Sequence, residues 1–91
     1  MVFVYGIREE RLTSGEVFMF NTIYANRETA RNEARNYASA FAVDHEYEEI
    51  PQNDRDVWQI RYTMQNGIAP EEVKITIAGF WFDDRKSTIG R

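Results

Sequence analysis

A single segment of this chain has the apolar spacing of a helix, and segments with strand spacing lie on both sides of it. Small and aromatic residues recur there at intervals of three and four, which marks one stripe of an amphipathic helix. The stripe consists of Ala30, Ala34, Tyr37, Ala38, Phe41 and Ala42. Asn26 is suited to capping a helix over residues 27–42. One helix of this kind covers one face of a sheet, so the fold must come from strands that share it.

Four segments rich in β-branched and aromatic residues predict strands at Val2–Arg11, 16–24, 57–65 and 72–82. The order β-β-α-β-β predicts a single α+β domain in which one helix packs on a mostly antiparallel four-stranded sheet. We expect this domain to span residues 1–84 and to end in a polar tail at 85–91. The pattern leaves the strand order open.

The composition limits the classes of protein to which this chain can belong. Its 91 residues fit one domain, and the absence of cysteine excludes disulfides, thiolate nucleophiles and cysteine-based zinc sites. The formal net charge of −4 argues against direct binding to nucleic acid, because such proteins carry a basic excess. With neither a spanning segment nor a signal peptide in the sequence, we expect no membrane partner and a cytoplasmic location.

The serines and the single histidine do not form a recognisable catalytic pattern. None of Ser14, Ser39 and Ser87 lies in a nucleophile elbow, and His45 lies in an acidic segment. The glycines form no phosphate-binding loop. The sequence therefore predicts a protein that is not an enzyme and needs no cofactor.

Residues 44–49 bring one imidazole and four carboxylates close together in sequence. They are Asp44, His45, Glu46, Glu48 and Glu49. Their spacing matches neither the helical zinc motif nor the calcium loop with its central glycine. We therefore expect a solvated loop rather than a metal site.

Three of the predicted strands are apolar on both faces, although one helix can cover only one face. The strand at 57–65 alternates regularly, with Trp58 and Ile60 on the side opposite Gln59. In the last strand, by contrast, Phe80 and Phe82 face away from Trp81. Such a surplus predicts an interface, with these two phenylalanines as its anchors. The alternative is that the twisted sheet or a loop covers the second face.

The segment 44–56 carries most of the acidic charge and is interrupted by Tyr47. Its six acids are Asp44, Glu46, Glu48, Glu49, Asp54 and Asp56, against the single base Arg55. Concentrated carboxylates can imitate a phosphate backbone and engage a basic surface on another protein. The alternative interpretation is an ordinary solvated loop.

Arg27, Arg31 and Arg35 follow one another at intervals of four and predict a basic stripe along one side of the helix. Such a stripe could bind phosphate or carboxylate groups of a partner. The alternative is a solvent-exposed helix face, partly neutralised by neighbouring glutamates.

These features together predict a non-enzymatic binding protein that blocks or modulates a larger protein, for example one with a basic nucleic-acid-binding surface. The profile fits a phage- or mobile-element-encoded inhibitor of a host nucleic-acid enzyme or defence nuclease, acting in the host cytoplasm. The alternative is a structural module that forms a homodimer through the second face of its sheet.

Overall fold

The computed structural model describes residues 1–66 and 69–83, the side chain of residue 66 excepted. Within these residues the chain forms five strands and one α-helix. The elements are β1 Val2–Arg11, β2 Val17–Met19, α1 Arg27–Phe41, β3 Glu48–Ile50, β4 Val57–Asn66 and β5 Ala69–Phe82. A short 3-10 turn, Val43–His45, follows the helix. The strands form one antiparallel sheet in the order β2-β1-β5-β4-β3, and the helix lies on one of its faces.

The predicted α+β fold with one helix is confirmed, but the predicted number of four strands is wrong. The fifth strand, β3, lies inside the segment expected to be a polar loop, where it pairs with Gln59–Arg61 of β4. It is a three-residue edge strand with two glutamates, so it has no apolar alternation that would reveal it. The expected tail at 85–91 lies outside the described residues.

The second strand is shorter than predicted because its pairing with β1 is interrupted. After Met19 the Phe20 N–H still donates to Ile7 O at 2.9 Å, and Tyr24 then forms a separate bridge with Tyr5. Between these two contacts β1 has a single residue, whereas the second strand has three, residues 21–23. The extra residues bulge out of the ladder and end β2 at Met19.

The helix begins where the sequence predicts it and ends one residue earlier. Asn26 Oδ1 accepts hydrogen bonds from the backbone N–H of Glu28 at 2.8 Å and of Thr29 at 3.3 Å. Ala30, Ala34 and Ala38 are fully buried, because their small side chains allow the helix to lie close to the sheet. Ala42 leaves the helical conformation and forms a bridge with Met64 of β4.

The core lies between the helix and the facing side of the sheet. Its largest fully buried side chains are Ile7, Ile60, Val73, Ile75 and Ile77. The predicted alternation of β4 is confirmed, since Trp58, Ile60, Tyr62 and Met64 all pack in this core. Within the described residues, the helix is too short and too polar to cross a membrane. We call the sheet side without the helix the outer face.

Candidate protein-binding surface

The outer face carries a group of neighbouring apolar side chains at the end where β1 starts and β5 finishes. The pairs Val2–Phe82, Val4–Phe80 and Gly6–Ala78 lie side by side there, and Val57 of β4 pairs with Ala78. By the register of β2, Met19 and Val17 share this face, where they stand beside Arg8 and Glu10 and extend the group toward the polar part of the face. We call the set the outer apolar patch: Val2, Val4, Val17, Met19, Val57, Ala78, Phe80 and Phe82.

Several members of the outer apolar patch are open to solvent. Phe80 is 41 % exposed, Val17 52 % and Met19 64 %, whereas Phe82 is half-buried. A shallow depression of about 400 Å³ lies beside Phe80, with Gly6, Met19, Val57 and Ala78 in its wall. The structure thus places both predicted anchors on the outer face, with Phe80 the more exposed.

The rest of the outer face is mostly polar, and two of its acids stand beside basic residues. The Lys74 ammonium lies 3.5 Å from a Glu10 carboxylate oxygen, and Glu48 of β3 stands opposite Arg61 of β4. Cross-strand pairs of opposite charge are a favourable arrangement on a solvated sheet. The outer face therefore has an apolar half and a charge-compensated half.

The six acids of segment 44–56 do not form one continuous acidic surface. Glu49 points toward the helix, where its carboxylate accepts hydrogen bonds from Arg35 Nε at 3.2 Å and Nη2 at 3.1 Å. Asp54 Oδ1 accepts from the backbone N–H of Asp56 at 2.9 Å and so stabilises the turn before β4. Glu49 and Asp54 therefore stabilise contacts within the protein.

Asp56 lies beside Arg27 and Arg55, and the other three acids line one depression of about 470 Å³ at the β3 end of the sheet. Asp44, Glu46 and Glu48 lie there together with Tyr47, and Arg61 contributes the opposite charge. Tyr47 is 38 % exposed. Of the predicted acidic surface, this group is the part brought together and left accessible.

The predicted arginine stripe packs against the sheet and binds neighbouring groups. The guanidinium carbons of Arg31 and Arg35 lie 5.7 and 5.0 Å from the centre of the Trp58 ring. Arg31 also pairs with Glu28 at 3.0 Å, and Arg27 Nη1 donates to the Arg55 carbonyl at 2.7 Å. These contacts join the helix to β4 and to the segment before it.

His45 is engaged in a local contact. Its Nδ1 lies 2.8 Å from the carbonyl oxygen of Ser39, and both Asp44 and His45 have positive φ, of 56° and 59°. Within residues 1–66 and 69–83, no group of three or more histidine and acidic side chains is arranged to hold a metal ion.

A buried carboxylate beneath the helix was not predicted from the sequence. Glu9 is 2 % exposed, accepts a hydrogen bond from Tyr62 Oη at 3.3 Å and pairs with Arg11 Nε at 3.4 Å. Burial, with the nearby Glu9, raises the pKa of Tyr37 to about 12 and that of Tyr62 well above its ordinary value. The alternation of side chains along β1 could have predicted this burial, because Glu9 lies on the same face of the strand as Tyr5 and Ile7.

Comparison with protein-family models, with curated proteins and with solved structures finds no match to this chain.

Proposed function

We propose that this protein is a small non-enzymatic binding protein that blocks or modulates a larger protein by occupying one of its surfaces. The observation that carries the proposal is the outer apolar patch, where large apolar side chains from adjacent strands are exposed together. Contiguous exposed apolar groups on a small protein typically mark an interaction surface. The neighbouring charge-compensated half would form the polar rim that surrounds such interfaces.

Phe80 is the anchor of this proposed interface. Aromatic side chains dominate interface energetics because they bury a large area at a small conformational cost. Phe80 pairs with Val4 of β1 and borders the depression lined by Met19 and Val57. Phe82 supports it from the next position on the same face.

The acids at the β3 end would select a partner with a basic surface. Asp44, Glu46 and Glu48 lie at the opposite end of the molecule from Phe80, so they would act at the rim. Charges at the rim of an interface mainly accelerate association and select partners. A basic nucleic-acid-binding surface is the partner chemistry that we propose, and Glu49 takes no part because it binds Arg35.

The biological role that we propose is inhibition of a host nucleic-acid enzyme, a defence nuclease included, by a phage or mobile-element protein in the host cytoplasm. Small size and the net charge of −4 support this role. We infer this role from size and charge, because a fold alone does not determine a function.

The proposal is tested by capturing partners from extract of the source cells on the immobilised protein. Phe80→Ser is compared with Phe41→Ser, because Phe41 is 51 % exposed and lies at the end of the helix, outside the outer apolar patch. We expect the parent and Phe41→Ser to retain the same partner and Phe80→Ser to lose it. Equal retention by all three would contradict the proposal.

The role of the acids is tested separately on the purified partner. We expect Asp44→Lys with Glu46→Lys to slow association by about tenfold at low salt and much less at high salt. The matched control is Glu16→Lys with Glu33→Lys, two exposed acids away from this depression. If both double variants slow association equally, the change in net charge alone explains the effect. That result would contradict the proposed role of Asp44 and Glu46 at the rim.

Self-association through the outer apolar patch is the alternative function. A patch made of the same residues on both copies could pack on itself about a two-fold axis. Light scattering tests this alternative, since a stable dimer that becomes a monomer both in Phe80→Ser and in Met19→Ser, a patch residue away from the end of β5, would favour the structural module.

A further inference from the structure

We infer that two copies of this chain pair through the free edge of β5 at residues 80–82, joining their sheets side by side. This pairing goes beyond the binding of a larger protein. It uses the backbone edge of β5 and involves the outer apolar patch only at its margin, through Phe80 and Phe82.

The end of β5 extends past its neighbour β4. The pairing of β4 with β5 starts at Val57 and Ala78, so residues 80–82 have β1 on one side and, among the described residues, no strand on the other. Val2, Phe3 and Val4 of β1 complete a two-stranded ribbon at this end. An unpaired edge presents backbone donors and acceptors to another strand.

The hydrogen bonds around Gly79 show which backbone groups face this edge. Tyr5 and Gly79 stand opposite each other, yet the Tyr5 N–H donates to Tyr24 O at 2.7 Å and the Gly79 N–H to Asp56 O at 2.9 Å. Their backbone groups therefore point away from each other. Because these directions alternate along a strand, Trp81 also directs its N–H and C=O away from β1, toward the free edge.

The ribbon lacks the features that normally protect an edge strand. Neither residues 1–7 nor residues 75–82 contain a charged side chain or a proline. The β3 edge, in contrast, carries Glu48 and Glu49 and is followed by Pro51. Charges and prolines are the usual protection against strand pairing.

A second copy fits this edge because the arrangement is self-complementary. An antiparallel pair centred on Trp81 exchanges two hydrogen bonds between the two Trp81 residues, and it sets Phe80 opposite Phe82 of the second copy. For a protein with a net charge of −4, an uncharged ribbon is also where two copies approach with least repulsion.

The exposed area indicates a weak dimer. Trp81 is 66 % exposed and Phe80 41 %. Two copies therefore offer roughly 500 Å² of aromatic surface, which is well below the area of a standard specific interface and corresponds to a weak, transient one. Because each copy carries a net charge of −4, we expect high salt to strengthen association.

The test measures the absolute mass by light scattering from about 10 μM to about 1 mM, a range suited to a weak interface. We expect the parent to form a dimer as its concentration rises, more readily at high salt. Trp81→Val and Trp81→Pro both lose the indole, but only proline removes the N–H. Since two symmetric hydrogen bonds depend on that group, we expect Trp81→Pro to dimerise about 10- to 100-fold more weakly than Trp81→Val.

Amide exchange in the parent provides a test that needs no variant. We expect exchange at the Trp81 amide to slow as concentration rises and the amide of Phe80, on the β1 side, to stay unchanged. A parent that is monomeric throughout the series, or a dimer with a concentration-independent Trp81 amide, would overturn the inference. Either result would leave binding to a larger protein untouched, because that binding needs one copy only.

Discussion

The ring of Phe80 lies against the backbone of Gly6 on the adjacent strand, where an added Cβ on Gly6 would stand 3.2 Å from Phe80 Cε1. Gly6 pairs with Ala78, so small residues surround this ring on the outer face. The ring thus packs on the sheet while 41 % of the residue stays exposed. Packing on the sheet restricts the side chain before binding, so less conformational freedom is lost in the complex, which favours its use as an anchor.

The two glycines near the ribbon differ in their tolerance to a methyl group. A Cβ on Gly79 would overlap the ring of Phe3, while one on Gly6 meets only the edge of Phe80. We expect Gly79→Ala to lower the free energy of unfolding by about 1–3 kcal/mol through overpacking. For Gly6→Ala we expect a change of about 1 kcal/mol or less, since the exposed Phe80 ring can move. Denaturant unfolding measures both, and equal losses would contradict the packing described for Phe3.

The outer apolar patch contributes less to stability than the core beneath the helix. Because Phe80 is half exposed, we expect Phe80→Ser to lower the free energy of unfolding by only about 1–2 kcal/mol. The matched core variant Ile75→Ala creates a cavity at a fully buried position, and we expect it to cost about 2–5 kcal/mol. A Phe80→Ser variant that unfolds outright would show that Phe80 belongs to the core.

The buried Glu9 carboxylate stabilises the sheet–helix interface. Glu9→Gln removes the charge that Arg11 and Tyr62 bind, and we expect a loss of about 1.5–3 kcal/mol in the free energy of unfolding. Glu10→Gln is the control, because its bond to Lys74 lies on the outer face and is worth about 1 kcal/mol or less. Equal losses in the two variants would show that the Glu9 network adds nothing beyond a surface pair.

Alkaline pH should weaken the fold through Tyr37 and Tyr62. Burial raises the pKa of Tyr37 from 10.0 to about 12 and raises that of Tyr62 further in the same direction. The folded chain therefore holds these protons more tightly than the unfolded chain, so stability is retained below pH 10 and declines as the pH rises above it. Denaturant unfolding across this range should show the decline, and Tyr37→Phe with Tyr62→Phe should reduce it. If the free energy of unfolding depends on pH in the same way in the parent and in the double variant, the decline does not arise from these two tyrosines.

The sequence was sufficient to predict the elements whose apolar spacing is regular. The alanine stripe of α1, the N-cap at Asn26 and the alternation of Trp58 and Ile60 each follow from a local periodicity that burial on one side imposes. The position of Phe80 and Phe82 on the face opposite Trp81 follows from strand parity in the same way.

The parts that could not be predicted depend on contacts between distant segments. β3 is held by its pairing with β4, and the early end of β2 results from a bulge against β1. Because neighbouring residues of β3 point to opposite faces, Glu49 is separated from Glu48 and meets Arg35, which lies 14 residues away in sequence. No local pattern encodes such partners. For the same reason the acidic segment looked more continuous in sequence than it is in the structure.

The central claim, that the outer apolar patch binds a larger protein, is tested most directly by the dissociation constant of the captured and purified partner. We predict that Phe80→Ser weakens this complex by at least about tenfold, as expected for an interface anchor, while Phe41→Ser leaves it within about twofold. Circular dichroism should first show that both variants are folded. An unchanged dissociation constant for folded Phe80→Ser would contradict the account and place the binding surface elsewhere on the molecule.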